Sequence, residues 1–241
     1  MSAAIDARTF SPAAYGKLIA DFRERGYEAR GFSKTDTNAR HLIVRHDVDF
    51  SLTAAQSMAE QEAELGITTT FFVLLRTEFY NALSQEGLAA LHRIADCGHT
   101  IGLHFDAALY ADEHLSIEQA VTRECGLLEA ALGRPVTVLS FHRPTADRIG
   151  QKNEIAGRIN AYGPRFVNEM GYCSDSRGAW HHGTPLDHPA VRDGRALQLL
   201  IHPFWWTLPA LPPTDRLCRF LDERAALLNR ELARHCTVHQ A

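Results

Sequence analysis

The sequence has few cysteines, and they form no recognisable pattern. The five are scattered without a CxxC pair, which argues against a disulfide framework and a zinc ribbon. It also has no apolar run near the ~20 residues needed to span a bilayer. The first residues lack the cationic and apolar regions of a secretory signal. We therefore expect a cytoplasmic protein without a membrane span.

No basic run of the kind that contacts phosphate backbones is present, and the formal net charge is −4. We therefore expect no nucleic-acid partner. There is also no internal repeat and no low-complexity segment. A chain of 241 residues, 45% of them hydrophobic, can bury a large core. We expect one domain over residues 1–241.

What is present is an alternation of helical and strand-like segments. Caps and periodicity predict helices at 11–26, 52–65, 84–97, 116–133 and 215–235, and strands at 41–48, 67–75, 100–103, 136–141, 166–167 and 197–201. Such alternation is typical of parallel strands with helical crossovers. Residues 145–165 and 178–196 are expected to be long loops. The terminal helices are expected to pack on a core of residues 40–206, although the apolar stripe of helix 215–235 could instead pack on a second subunit.

The most informative stretch is Arg45-His46-Asp47-Val48-Asp49, at the end of a predicted strand. Side chains alternate along a strand, so Asp47 and Asp49 should point the same way. Two carboxylates at a buried strand end favour a metal or an open cleft. The alternative is an Asp that caps the next helix beside an Asp paired with Arg45.

Polar side chains recur just after the other predicted strands. They are His104 and Asp106, His142-Arg143-Pro144, Asp175-Ser176-Arg177 with Trp180, and His202. The carboxyl ends of parallel strands share one face, where α/β barrels build their sites. We therefore expect these groups to converge on one site.

These motifs resemble those of the polysaccharide deacetylases, the NodB-like carbohydrate esterases of family 4. The resemblance implies a distorted (β/α) barrel of about seven parallel strands that removes acyl groups from sugars with one divalent metal. It implies Asp47 as catalytic base, Asp49 and His104 as metal ligands, and His202 as general acid. His99 matches the Gly-His that opens the second motif, and we expect it to hydrogen-bond behind the ligands. Ala108 replaces the family's second ligand His.

The third ligand is therefore open. We expect His142, because it directly precedes Arg143 at a strand end that should face the same centre. Asp106 is the runner-up, two residues after His104, although it can instead cap a turn. His142 can instead bond a backbone carbonyl. Zinc is the expected metal, with cobalt, nickel, manganese or iron as alternatives.

The remaining residues would serve the base, the acid and the sugar. Arg143 would pair with Asp47, unless it forms a plain surface ion pair, and Asp175 would orient His202 or Arg143, unless it forms a turn. Trp180 would stack on the sugar or pack in the core. Trp205 and Arg177 are further candidates for binding substrate.

The resulting hypothesis is a metal-dependent hydrolase that removes an acetyl or formyl group from an amino sugar. The wording RHDVD, GLHFD and HRP resembles deacetylases encoded with O-antigen synthesis enzymes, and so indicates lipopolysaccharide biosynthesis. A cytoplasmic enzyme would meet a nucleotide- or lipid-linked sugar. The alternatives are a catalytically silent barrel that binds a glycan or a partner enzyme, and a hydrolase of cyclic amides on the same scaffold. The sequence does not give the oligomeric state.

Overall fold

A computed structural model describes residues 5–6, 10–181, 183–236 and 238. The strands are β1 (Ile5–Asp6), β2 (Glu28–Ala29), β3 (His41–Val48), β4 (Thr70–Val73), β5 (Thr100–Phe105), β6 (Val138–Phe141), β7 (Glu154–Ile155), β8 (Arg158–Asn160), β9 (Gly171–Ser174), β10 (Ala179–Trp180) and β11 (Leu197–Ile201). The helices are α1 (Pro12–Glu24), α2 (Leu52–Glu64), α3 (Gln85–Asp96), α4 (Ile117–Leu132), α5 (Pro164–Val167), α6 (Pro189–Arg192) and α7 (Pro213–His235).

Nine of the strands form one sheet, in the order β7-β8-β6-β5-β4-β3-β11-β9, with β2 beside the start of β3. All pairs are parallel except β7 with β8. The sheet curls, so that its two ends approach each other. Gln198 of β11 donates to the carbonyls of Ala161 and Phe166, which follow β8 near the other end of the sheet. This half-barrel confirms the predicted fold class.

Serine caps set the starts of the main helices. A serine side chain accepts the amide hydrogen of the third residue after it at α1, α2, α3 and α4, namely Ser11, Ser51, Ser84 and Ser116. At α4 the side chain of Gln119 returns a bond to the amide of Ser116, which completes a capping box. Such caps satisfy amide hydrogens that have no partner inside the helix. The helix starts could therefore be predicted closely.

The sheet separates two apolar cores, because successive side chains of a strand point to opposite faces. The convex face packs on the helices through residues such as Val44, Phe71 and Leu103. The concave face carries a smaller cluster: Phe32, Ile43, Phe72, Val138, Ala161, Phe166, Met170 and Ala196. Arg45 and Asp47 lie two and four residues after Ile43 on β3, so their side chains point to the same concave side. This places polar groups inside the half-barrel.

The prediction of a strand at 166–167 is wrong. Those residues belong to the short helix α5, because Pro164 occupies its first turn, where a missing amide hydrogen costs nothing. The strand of this unit is β9, which ends directly before Asp175. The predicted loop at 145–165 also contains the short strands β7 and β8, and residues 178–196 contain β10 and α6.

The two terminal helices differ in how they meet the half-barrel. Helix α1 buries Tyr15, Ile19 and Phe22. Helix α7 buries Arg216 and Phe220 near its start. Within the described part of the chain, no helix has the length and hydropathy required to cross a bilayer.

Candidate active site

Three side chains meet at the carboxyl edge of the sheet. Asp49 follows β3, His104 lies near the end of β5, and His142 follows β6. The His104 Nε2 atom is 3.2 Å from Asp49 Oδ1 and 3.2 Å from His142 Nδ1. The His142 Nδ1 atom is 3.5 Å from Asp49 Oδ1. The structure thus brings together the three residues that the sequence predicts as metal ligands.

The donor set fits a divalent metal ion. Two imidazole nitrogens and one carboxylate oxygen are common ligands of catalytic zinc, which keeps an open fourth position. Ligand atoms about 2.0–2.1 Å from a tetrahedral metal are about 3.3–3.4 Å apart. The three observed spacings, 3.2, 3.2 and 3.5 Å, match that value.

The second nitrogen of His104 supports this role. Its Nδ1 atom lies 3.3 Å from the carbonyl oxygen of Ser140, the residue paired with His104 across β5 and β6. A carbonyl only accepts hydrogen bonds, so Nδ1 carries a proton, and Nε2 is the ring atom that a metal ion would use.

Within the trio, the pKa of Asp49 is lowered and the pKa of His104 is raised. Burial disfavours the Asp49 carboxylate, but bonds from His104 and His142 and the charge of His202 outweigh it and hold the pKa of Asp49 well below its ordinary range. Burial likewise opposes a charge on His104, but Asp47 and Asp49 outweigh it and raise its pKa. The Asp49 carboxylate is therefore ionised at neutral pH.

Asp47 lies next to the trio, with its Oδ2 atom 3.7 Å from His104 Nε2. Arg45 donates to the same Oδ2 at 3.0 Å, and the Ser140 hydroxyl lies 3.4 Å from it. The other oxygen, Oδ1, is buried and has no hydrogen-bond partner among the described residues. A carboxylate with one anchored and one free oxygen is suited to the role of a base.

The guanidinium beside Asp47 is Arg45, so the prediction that Arg143 pairs with Asp47 is wrong. Arg45 and Asp47 are two residues apart on β3 and share its concave face. Arg143 has a side chain 70% exposed and binds Asp106 instead. Its positive φ of 47° belongs to the turn after β6. The surface ion pair considered as the alternative is what the structure contains.

Asp106, the runner-up ligand, is outside the trio. Its carboxylate accepts the amide hydrogen of Ala108 and caps a short 3₁₀ turn. The extended backbone ends directly after Asp106, and the Asp106 carboxylate binds the Ala108 amide and Arg143 instead of joining the trio.

On the opposite side of Asp49, His202 faces the trio. Its Nε2 atom is 3.8 Å from Asp49 Oδ2, and its Nδ1 atom bonds Asp175 Oδ1 at 2.5 Å. Asp175 is fully buried and also accepts from Trp206 Nε1 at 2.7 Å and from the His202 amide. Burial opposes a charge on His202, but these carboxylates outweigh it and raise its pKa to about 9. Asp175 thus orients His202, one of its two predicted partners.

The predicted sugar-binding aromatics are in the core. Trp180 is 5% exposed and packs on Phe10 and Trp206, and Trp205 is 5% exposed and packs on Phe204. Neither ring presents a free face for stacking, because the apolar ring area is already buried within the fold. Arg177 is exposed beside Asp175.

His99 lies at the other end of β5 from His104. Its ring nitrogens contact Thr69 and the Ala59 carbonyl, so the expectation that it supports the ligands is wrong. His99 directly precedes β5, whereas His104 lies near the carboxyl end of that strand, so the two side chains lie at opposite ends of it.

The site residues that sequence reasoning underused are Arg45, Ser140 and Trp206. Arg45 has a readable signal, because it occupies the same strand face as Asp47. Ser140 reaches Asp47 through the pairing of β5 with β6, which a single sequence does not specify.

No family model and no curated protein matches the chain. Among solved structures it is similar to a family 4 carbohydrate esterase from Bacillus anthracis, with 15% identity, 87% of this chain and 86% of that chain covered, and a TM-score of 0.42. It is also similar to the Streptococcus pyogenes deacetylase PplD, with 13% identity, 87% of this chain and 86% of that chain covered, and a TM-score of 0.44. A third similar structure is a CE4 family pseudoenzyme from Bacillus anthracis, with 14% identity, 78% of this chain and 61% of that chain covered, and a TM-score of 0.41.

Proposed function

We propose that this protein is a metal-dependent hydrolase that removes an N-acyl group from an amino sugar. The proposal rests on the groups that adjoin the trio of Asp49, His104 and His142. Asp47 Oδ2 lies 3.7 Å from His104 Nε2, and His202 Nε2 lies 3.8 Å from Asp49 Oδ2. Amide hydrolysis needs these parts, a base, a site that polarises the carbonyl, and an acid for the leaving nitrogen.

When bound at the trio, a divalent cation would lower the pKa of a water molecule and polarise the acyl carbonyl. Asp47 takes a proton from the attacking water on its free Oδ1 atom, while Arg45 holds Oδ2 in place. The water oxygen then forms a bond to the carbonyl carbon. Two nitrogen ligands and one oxygen ligand favour zinc among the candidate metals.

His202 completes the reaction. As the carbon–nitrogen bond breaks, His202 Nε2 gives its proton to the departing amine, and a free amino sugar and a carboxylic acid result. Its pKa of about 9 keeps the imidazole protonated at neutral pH, and Asp175 fixes the ring through Nδ1. The pair therefore supplies an oriented acid.

The polar edge also carries two exposed guanidinium groups, on Arg143 after β6 and Arg177 after β9. Arginine binds phosphate well. These groups support a nucleotide- or lipid-linked sugar as the proposed substrate, in surface-glycan biosynthesis such as that of the O-antigen.

The test is hydrolysis of a panel of acetylated and formylated amino sugars, free and phosphate-linked, beside cyclic amides, with zinc-loaded protein. We expect amine release from an acylated amino sugar. The Asp47→Asn variant should lose about 10²–10⁴-fold in turnover while its metal content stays unchanged. Asp112→Asn, at an exposed position, is the matched control and should keep full activity.

Other outcomes would favour the alternative functions. Hydrolysis of the cyclic amides alone would replace the proposal with the hypothesis of a cyclic amide hydrolase. No hydrolysis by metal-loaded protein would contradict it and leave the silent, glycan-binding barrel. Full activity of Asp47→Asn would remove Asp47 as the base.

A further inference from the structure

Helix α7 is held to the half-barrel only by its first turns. The Arg216 side chain donates to the carbonyls of Phe10, Pro209 and Leu211. Phe220 packs on Phe204, with ring centroids 5.6 Å apart. After Phe220, the structure describes all of residues 221–235, and none of them is buried. The distal part of the helix therefore gains little from its own domain.

That distal part carries an apolar stripe. Leu221, Leu228 and Leu232 are 62%, 57% and 52% exposed, and Leu217 continues the line at 37%. Their spacings of four, seven and four residues place them on one helical face. An isolated helix of about 12–15 residues is only marginally stable in water. Burying this stripe against another surface would stabilise the helix.

The geometry points to a second copy of this chain as the occupant, with the two α7 helices packed antiparallel through this stripe. The stripe has coiled-coil spacing, with Leu221 and Leu228 at one core position of the heptad and Ala225 and Leu232 at the other. In an antiparallel pair, Leu221 of one copy faces Leu232 of the other, and Leu228 faces Ala225. Both layers occur twice because the arrangement is two-fold symmetric.

The flanking charges match this arrangement. Arg224 and Glu231 border the stripe on one side, and Asp222 and Asn229 on the other. In the antiparallel register Arg224 meets Glu231 of the second copy, twice, and Asp222 meets Asn229, so no like charges face each other. In a parallel, in-register pair Arg224 would meet Asn229 instead, and the two ion pairs would be lost. The charge pattern thus selects the antiparallel dimer.

The first test is the oligomeric state by sedimentation equilibrium over a concentration series, with the full chain. We expect reversible formation of a species of twice the chain mass. Leu228→Glu should abolish it, and Leu127→Glu, at an exposed leucine of α4 (50% exposed), is the matched control and should leave it unchanged. A monomer at every concentration, or a dimer that survives Leu228→Glu, would overturn the inference. Circular dichroism checks that both variants fold.

The second test concerns the register. Arg224→Glu and Glu231→Arg should each weaken the dimer by about 3-fold or more through facing like charges, and the double variant should restore it. A double variant as weak as the singles would contradict the antiparallel register. Both tests are independent of the proposed enzymatic activity.

Discussion

Arg45 and Asp47 form an ion pair on the concave face, with both side chains buried. The Arg45 guanidinium also donates to Gln198 and lies 4.4 Å from the centroid of the Tyr162 ring. Its pKa is raised because the Asp47 carboxylate outweighs the cost of burial. The position of Asp47, the proposed base, thus depends on a charge that the Tyr162 ring and the Gln198 amide contact.

Removing either partner of this pair should be costly, because the other is left as an uncompensated buried charge. We expect Arg45→Met to lower the free energy of unfolding by about 3–5 kcal/mol. The double variant Arg45→Met/Asp47→Leu should be more stable than Arg45→Met alone. Urea unfolding of the single and double variants measures the coupling. Additive losses would show that the two charges do not depend on each other.

The residues that sequence reasoning misplaced are those whose role depends on backbone turns. Arg143 and Asp106 each lie where the chain leaves its strand, and there they bind each other instead of joining the trio. Asp47, Asp49 and His104 could be placed because alternation along a strand is a strict rule. His142 could be placed because it follows its strand directly.

Among the elements, β5 depends on a close approach between strands. A Cβ atom added at Gly102 would lie 2.6 Å from a ring carbon of Phe72 on β4. Phe72 fills the concave core beneath the site, so the ring has no free space to take up. Gly102 therefore lets the strand that carries His104 pack beside β4.

We expect Gly102→Ala to destabilise the protein by about 1–3 kcal/mol through overpacking. The matched control is Gly126→Ala on α4, where an added Cβ would meet no atom within 4 Å among the described residues. That change should stabilise the protein by about 0.5–1 kcal/mol, because alanine favours a helix. Thermal unfolding compares the two. Equal stability of both variants would contradict the role given to Gly102.

The long helices and strands could be predicted to within a few residues because serine caps, glycine stops and apolar runs mark them locally. The short elements β7, β8 and α5 could not. They have two to four residues each, and tertiary contacts rather than local pattern decide their conformation. The packing of α7 could not be predicted either, since an apolar stripe does not say which surface covers it.

At the scale of the whole molecule, one buried carboxylate ties the helices to the sheet. Glu62 of α2 is fully buried and accepts from Tyr15 of α1 and from the Thr69 hydroxyl at 2.7 Å. His46 of β3 lies 2.9 Å from the same carboxylate. Burial opposes its charge, but His46 and the two hydroxyl bonds outweigh it and lower the pKa of Glu62. Burial also lowers the pKa of His99 nearby.

Both shifts predict lower stability in acid. A lowered pKa means that the folded state binds the proton more weakly than the unfolded chain, so stability is present above the unfolded pKa and is lost as pH falls. His99 acts from pH ~6.5 downward and Glu62 from ~4.3 downward. We expect Glu62→Gln to cost about 1–3 kcal/mol at pH 7 and to lose less on acidification. Urea unfolding across pH measures this, and a constant difference from the unchanged protein would contradict it.

We propose that Asp49, His104 and His142 together hold one divalent cation. The most direct measurement is anomalous X-ray scattering from zinc-soaked crystals of the unchanged protein and of His142→Ala, with His114→Ala as an exposed control. The account predicts one peak about 2.0–2.2 Å from the three ligand atoms, retained in His114→Ala and sharply reduced in His142→Ala. A peak elsewhere, no peak, or an undiminished peak in His142→Ala would contradict it.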